Sequence, residues 1–354
     1  MIDRRTILAG SVLLGATSRA WGRPASAGTS RSRAIDGIAL PANFNGLIAH
    51  ARAGRVEHVR CVGMADIESA VPITPTTQFR WGSASKWLTS VAVLRLAERG
   101  VLSIDAPIKT YLPDFRHDTG DRVLLRHLLS NTSGVPDLLS RELASEPGLR
   151  TSSATAAAMV ARFGAGDPTF APGQGWDYAA LNWVIVAAIV ERLTGTPLAA
   201  NVERLVLRAL GMTGAGFAQD GQPPMPRLAV AYGSAVPPVR KMSPAPAFVA
   251  ATGNVAGGVR DAVRAAHGIF HTGLLRAPSR TALTQVAWPA QEYALGGRVH
   301  LIDGAPWAWE TGKVGGYRTH IAHRLARSET IVVFNTTDMD QSAIGAWVET
   351  IARA

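Results

Sequence analysis

The order of strand-like and helix-like segments constrains the fold of this chain most. Residues 44–50 and 56–64 are strand-like runs on either side of Ala53 and Gly54 and predict a β-hairpin. The middle of the chain, punctuated by Pro and Gly, predicts mostly helix. Strand-like runs return at residues 298–302, 317–322 and 330–335, before a last helix at about residues 343–352. This order predicts an α+β fold: an antiparallel sheet flanked by helices, with an inserted mainly helical domain at about residues 105–250.

The first 27 residues have the pattern of an export signal. Arg4 and Arg5 precede a short apolar run at residues 7–16, and residues 25–27 are small, as at a cleavage site. The paired arginines predict a twin-arginine-type signal over residues 1–27, with a general secretory signal as the alternative. We therefore expect a periplasmic or secreted protein with one large domain at residues 36–354. No run is long enough to predict a membrane span.

Charge and cysteine content exclude several classes of function. The chain carries 36 Lys and Arg against 26 Asp and Glu, a formal net charge of +10. Its arginines are scattered without interleaved aromatics, which argues against nucleic-acid binding. Cys61 is the only cysteine, so no intrachain disulfide is expected. His320 and His323 would point to opposite faces of one strand, so we predict neither a metal site nor a cofactor.

Ser83 and Lys86 are the strongest candidates for chemistry. A serine hydroxyl needs a positioned base to become a nucleophile. A spacing of three residues at the start of a predicted helix would place both side chains on one face. The helix N-terminus would also favour negative charge on a nearby oxygen. Only four of the basic residues are lysines, and lysine, unlike arginine, can lose its proton when buried.

The sequence around this pair resembles a known family. Phe-Arg-Trp-Gly-Ser-Ala-Ser-Lys at residues 79–86 is similar to the nucleophile motif of the serine β-lactamase and penicillin-binding-protein superfamily, in its class C-related branch of esterases and DD-peptidases. The likeness continues through residues 94–107, 126–136, 172–195 and 251–261 to 309–317. It covers roughly residues 40 to 350. The family implies the α+β fold described above, and an active site between the sheet and the helical part.

The resemblance also implies roles for individual residues. Ser83 would be the nucleophile, Lys86 and Tyr178 would take up its proton, and the backbone N–H groups of Ser83 and Lys313 would form the oxyanion hole. The family commonly has Asn two residues after the tyrosine, but this chain has Ala180. Asn182 is the nearest candidate for the missing amide in substrate binding. The loss puts amide or β-lactam turnover in doubt more than ester cleavage.

The third family motif departs from the usual pattern as well. Where the family has Lys-Thr-Gly or His-x-Gly, this chain has Glu310, Thr311 and Gly312, which we expect to contact substrate. Glu310 would repel a substrate carboxylate. A charge supplied by Arg318, or a neutral or amine-bearing substrate, would reconcile this change with binding.

The sequence thus predicts a serine hydrolase that works through an acyl-serine intermediate. Its substrates would be small esters, amides, D-amino-acid or cell-wall peptides, or β-lactams. The alternative is a non-catalytic penicillin-binding-like sensor or scaffold of the cell wall, which Ala180 and Glu310 favour. No Gly-x-Ser-x-Gly motif supports an α/β-hydrolase. The oligomeric state stays open.

Overall fold

A six-stranded antiparallel sheet organises the protein. The computed structural model describes residues 29–354, so the predicted export signal at residues 1–27 lies outside the described residues. The strands of the described residues are β1 Gly46–Arg52, β2 Arg55–Val62, β3 Met64–Asp66, β4 Val71–Pro72, β5 Phe79–Arg80, β6 Gly216–Phe217, β7 Tyr232–Ala235, β8 Pro238–Arg240, β9 Val255–Gly257, β10 Arg298–Ile302, β11 Ala305–Val314, β12 Tyr317–Arg324 and β13 Glu329–Asn335. In the main sheet they run in the order β10-β11-β12-β13-β1-β2.

Helices pack on both faces of this sheet. They are α1 Ser30–Gly37, α2 Lys86–Glu98, α3 His117–Gly120, α4 Leu125–Leu129, α5 Leu138–Ser145, α6 Ala156–Phe163, α7 Ala180–Thr194, α8 Leu198–Val202, α9 Ala250–Gly253, α10 Val259–His271, α11 Ala277–Thr284 and α12 Gln341–Arg353. The predicted α+β fold class is confirmed. The predicted domain organisation, one large domain at residues 36–354 with a helical subdomain at about residues 105–250, stays a prediction.

Side-chain alternation along β1 divides the core into two layers. Leu47, Ala49 and Ala51 join the larger cluster, which contains the apolar residues of α2, α7 and α10. Ile48 faces the other way, into a smaller cluster with α1 and α12. Ala53 and Gly54, between β1 and β2, both have positive φ, as a tight hairpin turn requires. The predicted hairpin is therefore present, with bounds shifted by about two residues.

Three elements are not apparent from the sequence pattern alone. β11 has no strand pattern of its own, because its Pro, Gly, Glu and Lys interrupt the apolar alternation of a strand. α1 is held by Arg31, whose Nε donates to Glu329 Oε1 at 2.7 Å. α10 begins at Val259, and the carboxylate of Asp261 accepts from the Gly258 N–H at 3.1 Å.

The histidines of β12 lie on opposite faces of the sheet, as predicted. The His320 ring stacks on Trp309 with centroids 5.4 Å apart, whereas His323 stacks on Phe270 of α10 at 5.4 Å. Both rings are buried, and burial is the largest cause that lowers the pKa of each to about 3. Repulsion from His300 on His320, and from His271 on His323, lowers both pKa values in the same direction.

These two histidines predict a loss of stability in acid. An unfolded histidine binds a proton below a pH of about 6.5, but the folded rings resist protonation down to a pH of about 3. Unfolding therefore takes up protons in this window, and the free energy of unfolding should fall by about 1 kcal/mol per pH unit for each ring. Urea titrations between pH 7 and pH 4 test this. His320→Asn/His323→Asn should flatten the pH dependence; an equally steep slope in this variant would contradict the assignment.

Candidate active site

A short 3-10 turn, Gly82–Ser85, leads directly into α2 and carries the Ser83–Lys86 pair. Gly82 has a φ of +53°, which an L-residue with a side chain rarely adopts. The Nζ atom of Lys86 lies 2.9 Å from Ser83 Oγ. The predicted juxtaposition is therefore present, at the junction of the 3-10 turn and the α-helix.

The amine of Lys86 is held from several sides. It donates to the Thr252 carbonyl at 2.6 Å, and it lies 4.9 Å from the ring centroid of Tyr178 and 5.5 Å from that of Trp183. The Lys86 side chain is buried. Aromatic faces stabilise an ammonium ion, and burial opposes one. The amine can accept the Ser83 proton only in its neutral form.

Tyr178 lines the same cleft as the pair. Its ring packs edge-on against Tyr293 with centroids 6.1 Å apart, and 38% of the residue is exposed. Within residues 29–354 its hydroxyl has no hydrogen bond to Ser83 or Lys86; the ring face, not the oxygen, lies against the amine. Catalytic hydrogen bonds are often loose without substrate. The role of Tyr178 as a base stays a prediction.

Three glycines bring separate backbone segments together at Ser83. A Cβ on Gly82 would lie 2.8 Å from the Lys313 nitrogen, and one on Gly253 would lie 2.9 Å from the Gly82 carbonyl carbon. A Cβ on Gly312 would overlap the Trp81 carbonyl oxygen. These contacts place the backbone nitrogen of Lys313, on β11, against the turn Gly82–Ser85, which we call the nucleophile turn. An oxyanion donor is needed at this place. Gly312 thus serves close backbone approach, and its contact with substrate stays a prediction.

Gly312→Ala tests this packing. The added methyl group must push β11 away from the nucleophile turn, so we expect a loss of more than about tenfold in kcat for ester hydrolysis, because the oxyanion donor moves. Gly37→Ala is the matched control, since a Cβ there meets nothing within 4 Å. Kinetics on both purified variants measure the effect. Wild-type kcat in Gly312→Ala would refute the role of this contact.

Glu310 does not contact the cleft, contrary to the prediction. The residue is 1% exposed, and Arg298 Nη1 donates to its two carboxylate oxygens at 2.7 and 2.9 Å. The Thr311 N–H donates to Oε1 at 2.9 Å. Burial raises the pKa of the Glu310 carboxyl, and the charge of Arg298 opposes this shift. Its negative charge is therefore matched within the protein and does not repel a substrate.

Two other predicted substrate contacts are wrong as well. Thr311 lines a groove on the opposite face of the sheet, because side chains alternate along β11. Arg318 is buried in an ion pair with Asp338, and its Nε donates to the Met339 carbonyl at 3.0 Å. Neither side chain lines the cleft that contains Ser83.

Asn182 does not replace the missing amide. It is buried in α7, where its Oδ1 accepts from Ser133 Oγ at 2.7 Å and its Nδ2 donates to Asn131 Oδ1 at 3.3 Å. Ala180 does line the cleft, at the first position of α7. No asparagine of α7 therefore reaches the cleft, and the predicted contact of Asn182 with substrate is wrong.

The sequence analysis missed several residues of the cleft. The cleft has a volume of about 310 Å³, and its further lining includes Arg80, Ser140, Leu143, Val249 and Val314. Arg80 is buried, and its guanidinium donates to the Ser243 carbonyl at 2.6 Å and to Asn254 Oδ1 at 3.4 Å. The one sequence feature that could have indicated Arg80 as a cleft residue is its position three residues before Ser83. Ser140 and Leu143 come from α5, and only tertiary packing brings them here.

Residues 29–354 contain neither a single membrane-spanning helix nor a cluster of metal ligands. No single helix in this range is long and apolar enough to cross a membrane. Together, α7 and residues 198–207 have the length and composition of a span, but the pair is sharply bent. Most residues of α7 are buried in the protein core. Within the same range, no group of three or more His, Cys, Asp or Glu side chains is arranged to hold a metal ion.

Ser83 Oγ lies within hydrogen-bond distance of the Lys86 amine, on a turn that packs against the Lys313 amide of β11. This is the arrangement that a serine nucleophile, its base and an oxyanion donor require. The Beta-lactamase family profile matches residues 31–351. The chain therefore belongs to the Beta-lactamase family, and the resemblance predicted from its motifs is confirmed.

Two curated relatives illustrate the family. The chain is 38% identical to esterase EstB of Burkholderia gladioli over 202 residues, which are 54% of this chain and 50% of the esterase. It is 28% identical to the putative penicillin-binding protein PbpX of Bacillus subtilis (strain 168) over 187 residues, 53% of this chain and 45% of that protein. The chain thus spans about half the length of the curated relatives it matches.

Solved structures share the fold at lower identity. The penicillin-binding protein homologue from Pyrococcus abyssi aligns with a TM-score of 0.76 and 20% identity, covering 88% of this chain and 74% of that one. The D-amino acid amidase from Ochrobactrum anthropi SV3, complexed with L-phenylalanine, aligns with a TM-score of 0.75 and 19% identity, covering 88% and 93%. At these identities the likeness establishes the fold.

Proposed function

We propose that the protein is an exported serine hydrolase that cleaves small carboxylic esters through a covalent acyl-Ser83 intermediate. One observation carries the proposal: Lys86 Nζ lies 2.9 Å from Ser83 Oγ in a cleft that also presents Lys313. The 38% identity to an esterase supports esters over amides and β-lactams. Ala180 supports the same choice, since the amide side chain common at that position is missing.

The proposed reaction has two acyl-transfer steps. Ser83 Oγ attacks the ester carbonyl carbon while its proton passes to neutral Lys86 or through Tyr178. The N–H groups of Ser83 and Lys313 stabilise the oxyanion. The tetrahedral intermediate collapses, the alcohol leaves with the proton, and acyl-Ser83 remains. Water then attacks the carbonyl carbon of this ester and gives up its proton to the same base. The second tetrahedral intermediate collapses, the bond between the acyl carbon and Ser83 Oγ breaks, the base returns the proton to Oγ, and the carboxylic acid leaves.

The cleft favours neutral or carboxylate-bearing substrates. Leu143, Val249 and Val314 provide apolar surface, and Arg80 adds positive charge. Among residues 29–354 no acidic side chain lines this cleft. The expectation of an amine-bearing substrate rested on Glu310, whose charge is matched by Arg298. We therefore propose a short, neutral acyl group, with a carboxylate tolerated near Arg80.

A substrate panel tests this proposal. We expect saturable hydrolysis of p-nitrophenyl acetate and butyrate, with lower kcat/KM for D-alanine p-nitroanilide and a chromogenic cephalosporin. A fluorophosphonate should label a single peptide, the one that contains Ser83. No turnover of any ester, together with no labelling, would refute the proposal. Faster turnover of the amide or the cephalosporin would refute the preference for esters.

The second candidate is a non-catalytic sensor or scaffold of the cell wall on the same fold, and Ala180 is the observation that favours it. Such a protein would be acylated by a fluorescent penicillin at Ser83 and hold the adduct for hours without turning over any ester. Mass spectrometry of the intact protein over time distinguishes a stable adduct from turnover.

Export by the twin-arginine route is a further part of the proposal. It rests on Arg4 and Arg5 before a short apolar run. Expression in a Gram-negative host followed by cell fractionation should place the processed protein in the periplasm. Arg4→Lys/Arg5→Lys should retain the precursor in the cytoplasm. Unchanged export of this variant would indicate the general secretory route instead.

A further inference from the structure

One carboxylate joins the beginnings of two helices beside the cleft. Asp137 is the N-cap residue of α5, and its side chain accepts from the Ser140 N–H at 3.1 Å and from Ser140 Oγ at 2.6 Å. The same carboxylate accepts from the backbone N–H groups of Ala180 at 2.7 Å and Leu181 at 3.3 Å, the first two residues of α7. Each of its two oxygens therefore accepts one hydrogen bond from each helix.

α7 depends on this carboxylate because it has no capping side chain of its own. Its N-cap residue is Ala179, whose methyl group cannot accept a hydrogen bond. The first N–H groups of a helix have no partner within the helix, and a negative charge beside them is stabilising. Asp137 supplies both the acceptor and the charge, from a position 43 residues before Ala180.

The loop that ends at Asp137 holds the backbone on both sides of Tyr178. On one side, the N–H of Asp177 donates to the Asn131 carbonyl at 3.0 Å. On the other side, the N–H of Ala180 donates to the Asp137 carboxylate. Both acceptors belong to the loop between α4 and α5, so this one loop fixes the chain immediately before and after Tyr178.

The Tyr178 side chain adds only weak restraints of its own. The residue is 38% exposed, and its ring contacts Trp176 and Tyr293 with centroids 6.0 and 6.1 Å apart. The Lys86 amine lies 4.9 Å from the centroid of the same ring. Proton transfer requires the phenol and its partners within hydrogen-bond reach, so a shift of the backbone at Tyr178 would slow it.

We propose that Asp137 is a positioning residue for Tyr178: its carboxylate sets the beginning of α7 and thereby the place of the phenol in the cleft. The inference rests on the proposed function, in which Tyr178 relays the proton of Ser83. The same carboxylate orients α5, from which Ser140 and Leu143 line the cleft. Asp137 is not among the lining residues in the described part of the chain, so it acts through the residues that it holds.

Kinetics of Asp137→Ala on p-nitrophenyl butyrate test the proposal. We expect kcat to fall at least about tenfold, because the phenol moves, and KM to stay within about threefold of the wild type. Asp137→Asn should recover most of the loss, since one amide oxygen can still accept from both helices. Asp340→Ala is the matched control. Asp340 caps α12 in the same way, accepting from the Ser342 N–H at 3.0 Å and from Ser342 Oγ at 2.6 Å, and its removal should leave kcat unchanged.

A double-mutant cycle with Tyr178→Phe shows whether Asp137 acts through the phenol. In the Tyr178→Phe background, Asp137→Ala should lower kcat by less than about threefold, because no hydroxyl is left to place. Equal losses in both backgrounds would overturn the positioning role, since the effect would then not pass through the Tyr178 hydroxyl. Wild-type kcat in Tyr178→Phe or in Asp137→Ala would overturn it as well.

Hydrogen exchange separates a failure of this inference from a failure of the proposed function. Without substrate, the peptide that contains Ala180 and Leu181 should exchange at least about tenfold faster in Asp137→Ala than in the wild type or in Asp340→Ala. Unchanged exchange would overturn the anchoring of α7, even in an active esterase. Faster exchange in a protein that cleaves no ester would support the anchoring and refute the proposed function, and with it the effect of Asp137 on catalysis.

Discussion

Ser83→Ala should reduce kcat for ester hydrolysis by about 10⁴-fold or more, the range found when the nucleophile of a serine hydrolase is removed. The hydroxyl is the only atom in the proposed reaction that forms a covalent bond to the substrate, so neither Lys86 nor the oxyanion donors can substitute for it. KM should change little, because the cleft walls stay in place. Kinetics with p-nitrophenyl butyrate measure the loss, and fluorophosphonate labelling should disappear with it.

Ser85→Ala is the matched control. Ser85 lies two residues further along the same 3-10 turn, but it is buried, and its Oγ accepts from the Val255 N–H at 3.3 Å. Its removal should cost some stability and leave kcat within a few-fold of the wild type. If Ser83→Ala kept its ester turnover, or if both variants lost it equally, the assignment of Ser83 as nucleophile would fail.

The nucleophile pair was predictable because its geometry is local. Three residues of turn and helix fix the distance between Ser83 and Lys86, so the sequence alone contains the information. The hairpin of β1 and β2 is local in the same sense. The residues of β11 do not show the pattern of a strand, because they satisfy close packing on the turn Gly82–Ser85, as at Gly312.

The errors about the third motif have a different cause. Glu310 was interpreted from its sequence neighbours, but its environment is set by Arg298, twelve residues away on the adjacent strand. The pairing of β10 with β11 places Arg298 opposite Trp309. Likewise, the partner of Arg318 is Asp338, beyond β13. Such partners depend on strand order, which a single sequence does not reveal.

Arg298→Met should destabilise the protein by about 3–5 kcal/mol at neutral pH, since it leaves the Glu310 carboxylate buried without its partner. Urea unfolding measures the loss. Arg353→Met is the matched control, because its pair with Glu349 is about half exposed on both sides; removing a surface pair should cost about 1 kcal/mol or less. Equal losses in the two variants would contradict the buried pair.

Two further measurements separate the charge of Glu310 from its packing. Burial already raises the pKa of this carboxyl, and loss of Arg298 removes the charge that opposes the shift. The folded variant then binds a proton more readily than the unfolded chain, so the deficit against the wild type should shrink as the pH falls from 8 to 5. Arg298→Met/Glu310→Leu, which removes both charges, should recover most of the stability.

Glu310→Lys should unfold more easily than the wild type, because it would bury a second cation beside Arg298. It should gain no activity on carboxylate-bearing esters, because position 310 does not line the cleft. A gain on such substrates would show that the side chain at position 310 reaches them.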